Sequence, residues 1–413
     1  GVATYDLAPT ETSASFLYQY TGPTTDPQNV NFNLDSAYPV NIAEDPTMQV
    51  RQAGLLFYNE GLNTSVNSIA TQIAGKPSDT GFGSQTLTLE AVRTNDQNPL
   101  ACSPLFDVGT TVQIEFGAEC SNPASCATNT IDINGNASVP VTNDNAAPGA
   151  SSYSAAVPVL FQAQPNSGHP AGTVNFTYND VGEIRLHARY RIPFASNSAP
   201  SADYMSGESN TFVVRPFGFA VDFSDDRING TNNSVSADHT SPPFFTAGEA
   251  FNTTVRAVVW DSNDDVIVDG VPDIGANLYD NAVTPNFGNE ITNATTDFQV
   301  RVNLSAVAAP ASGQGILTDN LFNAFANGLQ TKSMVFDEVG IIHLSAELLT
   351  DDGMLNPQTY LSSGSGVYGN ARNVGRFIPD RFQIETVTLQ PRVRAKARAT
   401  ACLIPPTATS FNY

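Results

Sequence analysis

One pattern occurs twice in the chain. Tyr178-Asn-Asp-Val-Gly-Glu-Ile-Arg-Leu-His-Ala-Arg-Tyr190 returns as Phe336-Asp-Glu-Val-Gly-Ile-Ile-His-Leu-Ser-Ala-Glu-Leu348. In each copy an acidic turn and a Val-Gly pair lead into strict alternation. Ile184, Leu186 and Ala188 face one way and Arg185, His187 and Arg189 the other; Ile342, Leu344 and Ala346 repeat this against His343, Ser345 and Glu347. Period-two alternation predicts a strand with one buried and one wet face. The following segments also recur, Phe212-Val-Val-Arg-Pro-Phe-Gly-Phe219 after the first copy and Val374-Gly-Arg-Phe-Ile-Pro-Asp-Arg-Phe382 after the second. The copies lie one sandwich domain apart. The expected fold is therefore all-β, with immunoglobulin-like β-sandwich modules in tandem. Residues 47–215 form the first module and 216–378 the second. Residues 1–46 read as an extension or the end of a preceding module, and 379–413 as the start or completion of a further one.

Composition agrees with many short strands. The chain has 30 Gly and 27 Pro, and only 14% of its residues are charged, which suits strands joined by turns. Net charge is −22, so nucleic acid is excluded as a partner for want of a basic footprint. No run approaches the roughly 20 apolar residues of a membrane span. No leader pattern opens the sequence, and the chain is read as processed or as part of something longer.

Cys102, Cys120, Cys126 and Cys402 lack the paired spacing of a zinc site. An even count in a strand-rich chain predicts two disulfides and an oxidising compartment, with the pairing left open. Asn134-Gly135 marks a hairpin tip. Leu321, Phe322 and Phe325, at helical spacing within Leu317–Leu329, predict one short helix. Two segments suggest assembly. Phe16, Tyr18 and Tyr20 share one face of a strand, and Arg392, Arg394, Lys396 and Arg398 make one face of another strand wholly basic. The second reads as a guarded sheet edge or as a surface for an acidic neighbour.

The candidate chemistry is sparse. Asp261, Asn263 and Asp265 have the 1-3-5 oxygen spacing of a calcium loop, with Asp269 and Asp273 as further donors. Val266 stands where such a loop has glycine, and Pro272 where it ends on glutamate, so a solvated acidic turn is the competing expectation. Calcium is the one cofactor considered. His187 and His343 are expected on wet faces. Gly364-Ser-Gly-Val-Tyr-Gly369 matches a dinucleotide fingerprint only formally, since no strand-turn-helix surrounds it. No Gly-x-Ser-x-Gly elbow occurs, so no catalytic residue is assigned.

Val50-Arg-Gln-Ala-Gly54, Leu89-Glu-Ala-Val-Arg-Thr94, the first copy, Phe212–Phe219, Ala247-Gly-Glu-Ala-Phe251 and Gly375–Phe382 resemble the large β-rich region of the MSHA-pilus biogenesis protein Q family. Asp269-Gly-Val-Pro-Asp273 resembles that family's Asp/Gly loop, and Cys402 with Phe411-Asn-Tyr413 its Cys-x-x-Phe-x-Tyr stretch with a longer spacer. The resemblance implies an extracellular or cell-surface protein associated with type IV pili. The expected function is a non-enzymatic structural or adhesive one, with protein partners that include pilus components or copies of itself added strand by strand into a filament. The alternative is a carbohydrate-binding or hydrolytic surface protein, disfavoured by a single tryptophan, Trp260.

Overall fold

The computed structural model describes residues 28–30, 48–50, 53–59, 69–94, 102–143, 147–149, 151–164, 168–191, 204–223, 238–290, 298–310, 313–349, 359–364, 366–369 and 372–382. The described chain is built of strands, with a single three-residue 3-10 turn at Tyr360–Ser362. No helix among the described residues is long and apolar enough to cross a membrane.

The two copies occupy matching places. The first, Gly182–Arg191, lies between Thr111–Asn122 on one side and Phe212–Arg215 and Tyr204–Glu208 on the other. Leu186 stands opposite Ala118, and Ile184 opposite Phe212. The second, Gly340–Leu348, lies between Val300–Ala309 and Arg372–Phe377, with Leu344 opposite Leu304 and Ile342 opposite Val374. Ile184 and Ile342 are both fully buried. Each copy is entered through a bulge, and Gly182 and Gly340 share φ of 128°. Only glycine holds that angle without strain. At Gly182 a Cβ would also lie 2.2 Å from the Asn122 carbonyl oxygen.

The second half is a sandwich of two four-stranded antiparallel sheets. One orders Gly218–Asp222, Ala250–Val258, Leu329–Phe336 and Leu317–Thr318; the other orders Leu321–Phe322, Val300–Ala309, Gly340–Leu348 and Arg372–Phe377. Phe223, Phe244, Phe245, Phe251, Phe336 and Phe377 fill the space between them, several in edge-to-face contact, as at Phe244–Phe245 with ring centroids 4.8 Å apart. Each such ring contributes about 1.5–3 kcal/mol by leaving water. The first half is one hydrogen-bonded network of 13 strands. The 12-residue Thr111–Asn122 strand crosses it, pairing with Val157–Ala163, Asn136–Thr142 and the first copy.

The expected helix at 317–329 does not form. Leu317–Thr318 and Leu321–Phe322 are strands, with Asp319 at φ 56° between them. Asn327-Gly328 then makes a tight turn at φ 51° and 76°, the same chemistry as the hairpin tip Asn134-Gly135 at 51° and 81°. Phe322 and Phe325 are buried, so the helical spacing came from two turns that bring both rings to one core.

Candidate functional site: the joint between the modules

Arg215 ends the first module and Gly218 opens the second, with Pro216 and Phe217 between them. Phe217 is fully buried and its amide donates to the Val258 carbonyl. Around it, Ile73 and Phe82 of the first module pack with Ala220, Val258, Trp260 and Leu278 of the second. The joint is thus an apolar contact, not a free linker.

Polar groups close it on two sides. On one side the 261–273 loop reaches back to the first module. The Trp260 amide donates to the Ala74 carbonyl at 2.8 Å, and the Phe82 amide to that of Val268 at 3.0 Å. Arg215, 2% exposed, donates to the Gly270 carbonyl at 2.8 Å and lies 4.9 Å over the Phe82 ring. Burial lowers its pKa to about 10, against the pull of Asp265 and Asp269. Lys76, 2% exposed, donates to the carbonyls of Pro77 and Thr80. Burial brings its pKa to about 8, again opposed by Asp265.

On the other side Asn286 acts as a pin. Its amide donates to Asp180 Oδ1 at 2.9 Å, its Nδ2 to the Val181 carbonyl at 2.9 Å, and its Oδ1 accepts from the Ala127 amide at 2.6 Å. Asp180 opens the first copy of the duplicated pattern, and burial raises its pKa. The Cys120–Cys126 disulfide, with Cα atoms 6.0 Å apart, closes the bend just before Ala127. Beneath Asn286, Glu290 accepts from the Tyr360 hydroxyl and from the Gly288 amide. Tyr360 stacks on Phe298 with centroids 5.0 Å apart. Burial pushes the Glu290 carboxyl up to about 7 and the Tyr360 hydroxyl upward as well.

Four of the five calcium donors proposed from sequence, the carboxylates of Asp261, Asp265, Asp269 and Asp273, accept hydrogen bonds within the loop, and the fifth, Asn263, donates to Asp261. Asp265, fully buried, accepts from Trp260 Nε1 at 2.9 Å and from the amides of Asp269 and Gly270. Asp273 accepts from the Val266 amide, Asp269 from the Val271 amide, and Asp261 from Asn263 backbone and side chain. These carboxylates point at different donors, and among the described residues no group of three or more His, Cys, Asp or Glu is placed to hold a metal ion.

Of the remaining sequence candidates, Cys102 is an exposed thiol on the short Cys102–Pro104 strand. Cys402, Phe16, Tyr18, Tyr20, Arg392, Arg394, Lys396 and Arg398 lie outside the described residues. His187 is not on a wet face. It is 4% exposed, 3.2 Å from Glu119, and burial lowers its pKa. That face is covered because Pro148 and Ser152 lie over Gly117, the residue opposite His187, and Arg189 lies over the rings of Tyr153 and Tyr204. His343 is half-buried beside Asn373. Sequence reasoning missed Asn286 and Glu290, since neither belongs to a motif.

The fold defines the class: an all-β protein of immunoglobulin-like modules. Three successive models of one family match the chain. They are described as the first Ig-like domain of DUF6701, over residues 40–208, its second domain, 215–336, and its third, 338–413. The chain belongs to the DUF6701 family. No curated protein matches it. Solved structures similar to it include the D0-D1 domain of intimin, at 9% identity, with 78% of this chain and 99% of that one covered and a TM-score of 0.18. The adhesin InvE of Yersinia pseudotuberculosis matches at 12% identity with a TM-score of 0.25, covering 78% of this chain and 58% of that one. Likeness at this level says nothing of activity or ligand.

Proposed function

We propose that the chain is a non-enzymatic structural or adhesive component of a cell surface, associated with pili, that carries a distal group away from the cell or builds into a filament. The observation that carries the reading is the joint. Its ionisable groups, Arg215, Asp265, Asp180 and Glu290, are buried and committed to structural hydrogen bonds across or beside the module boundary. A spacer needs its modules held at one angle, and such a network supplies that stiffness. The Cys120–Cys126 disulfide suits an oxidising exterior. The net charge of −22 suits solubility there. The resemblance of Phe212–Phe219 and Gly375–Phe382 to the MSHA-pilus biogenesis protein Q family supports the pilus association.

The test is immunogold labelling of intact cells with antibodies to the purified chain, with and without external protease. The reading expects label on the exterior that follows surface fibres and is removed by protease. Label confined to permeabilised cells would overturn it.

A further inference from the structure

The Cys120–Cys126 disulfide stands where its effect falls on the joint. Cys120 lies within the Thr111–Asn122 strand, opposite Ile184 of the first copy. Cys126 lies in the bend that follows, before the Thr130–Ile133 strand begins. This bend belongs to no strand, and Ala124, Ser125 and Ala127 on it are exposed. Isolated hydrogen bonds hold it to the first module: the Cys126 amide donates to Asn143 Oδ1 at 3.0 Å, and the Thr128 carbonyl accepts from the Tyr178 hydroxyl at 3.0 Å. The disulfide is its covalent tie to the sheet. The bend in turn supports the pin. The Ala127 amide, next after Cys126, donates to Asn286 Oδ1 at 2.6 Å, and the same Tyr178 hydroxyl accepts from Asn286 Nδ2 at 3.4 Å. Asn286, fully buried, belongs to the second module. Its bonds to Asp180 and Val181 reach the base of the first copy, which the sheet itself holds. The pin therefore has one footing on the sheet and one on the bend.

We propose that the disulfide is a redox-set latch on the joint. Oxidised, it holds the Ala127 amide at Asn286; reduced, the bend relaxes and the second module loses one of its footings while both modules stay folded. Loop size supports this division. A cross-link stabilises a whole fold more the longer the chain it closes, and this one joins cysteines only 6 apart in sequence. Its influence is concentrated on where Cys126, Ala127 and Thr128 sit. Closure from the two thiols balances as thiol–disulfide exchange with a small-molecule disulfide. The thiolate of Cys126, the less buried of the pair, attacks one sulfur of that disulfide and releases one thiol. The Cys120 thiolate then attacks the Cys126 sulfur and releases the second. The two electrons reduce the external disulfide, and the two protons leave on its thiols. A chain still reduced is hinged at the joint, and one that has met an oxidising exterior is stiff. That consequence rests on the proposed surface location; the latch itself does not.

Hydrogen exchange of the purified full chain, read by mass spectrometry, tests the latch in a Cys102→Ser, Cys402→Ser background where only this pair reacts. The chain is compared oxidised with glutathione disulfide and held reduced with a phosphine, with and without Asn286→Ala. Reduction should raise exchange of the amides at 286–290 about tenfold or more, with the strands Ala250–Val258 and Gly182–Arg191 unchanged. With Asn286→Ala those amides exchange fast in both states and reduction adds nothing, because the two changes break one contact. Cys126→Ala, which needs no reductant, should match the reduced chain. Exchange at 286–290 that ignores reduction overturns the latch, as does a rise of equal size with and without Asn286. A rise that spreads to both strands also overturns it, since the disulfide would then brace the fold and not the joint. None of these readings depends on where the protein is found, which the labelling experiment reads separately.

Discussion

Glu290→Gln should remove a pH dependence that the joint imposes on stability. Glu290 is 8% exposed. Burial is the largest influence on its carboxyl, lifting it from 4.5 to about 7 against the hydrogen bonds from Tyr360 and the Gly288 amide, with the Asp180 charge adding to the rise. Between those two values the folded chain keeps a proton that the unfolded chain has released. The stabilising contribution is therefore complete below about pH 4.5 and is lost as pH rises through about 7. At about 1.4 kcal/mol per pKa unit, the loss is on the order of 3 kcal/mol. A glutamine reproduces the neutral acid: its carbonyl accepts from the Gly288 amide and its NH2 donates to the Tyr360 oxygen. At about 2–4 °C per kcal/mol for modules of this size, the variant should melt about 6–12 °C above wild type at mildly alkaline pH and level with it in acid. Asp180, also raised by burial, leaves a slope of the same sign in both proteins. Thermal melts followed by circular dichroism across pH read the difference directly. Parallel curves for wild type and variant would refute the reasoning, since the buried carboxyl would then be titrating as it does in the unfolded chain.

Other perturbations separate the parts of the account. Asn286→Ala removes three side-chain hydrogen bonds at the joint and leaves the Val181 carbonyl unpaired there, so chemical denaturation should show a loss of about 2–4 kcal/mol. Gly182→Ala forces a Cβ to 2.2 Å from the Asn122 oxygen and should cost about 3 kcal/mol or more. Gly168→Ala, with φ of 73° and open space around it, should cost only about 1 kcal/mol in the same assay. Calcium or a chelator should leave the melting temperature unchanged, because Asp265, Asp269 and Asp273 already satisfy backbone amides; a calcium-dependent rise of several degrees would contradict that. Asp265→Ala should quench or shift Trp260 fluorescence by freeing its indole N–H.

The duplicated strand could be read in the sequence because period-two alternation is local, and Ile184, Leu186, Ile342 and Leu344 need no distant information to declare a buried face. The joint could not. Asn286 and Asp180 stand 106 residues apart, and nothing near either announces the other. His187 departs from expectation for a related reason: alternation gives its face correctly, but the cover over that face comes from Pro148 and Ser152, distant in the chain. The 1-3-5 spacing of Asp261, Asn263 and Asp265 serves a calcium cage and a self-bonded turn equally well, because both need short oxygen-bearing side chains. Which one forms depends on whether Trp260 and the Gly270 amide claim Asp265 first.

That the joint fixes the two modules in one orientation is tested most directly by a distance between them. Spin labels at Ala163→Cys and Ala306→Cys, exposed positions on different modules, in a Cys102→Ser, Cys402→Ser background, can be measured by double electron–electron resonance. A single narrow distance that broadens with Asn286→Ala is the predicted result. A broad distribution in the otherwise native chain would mean that the modules swing freely.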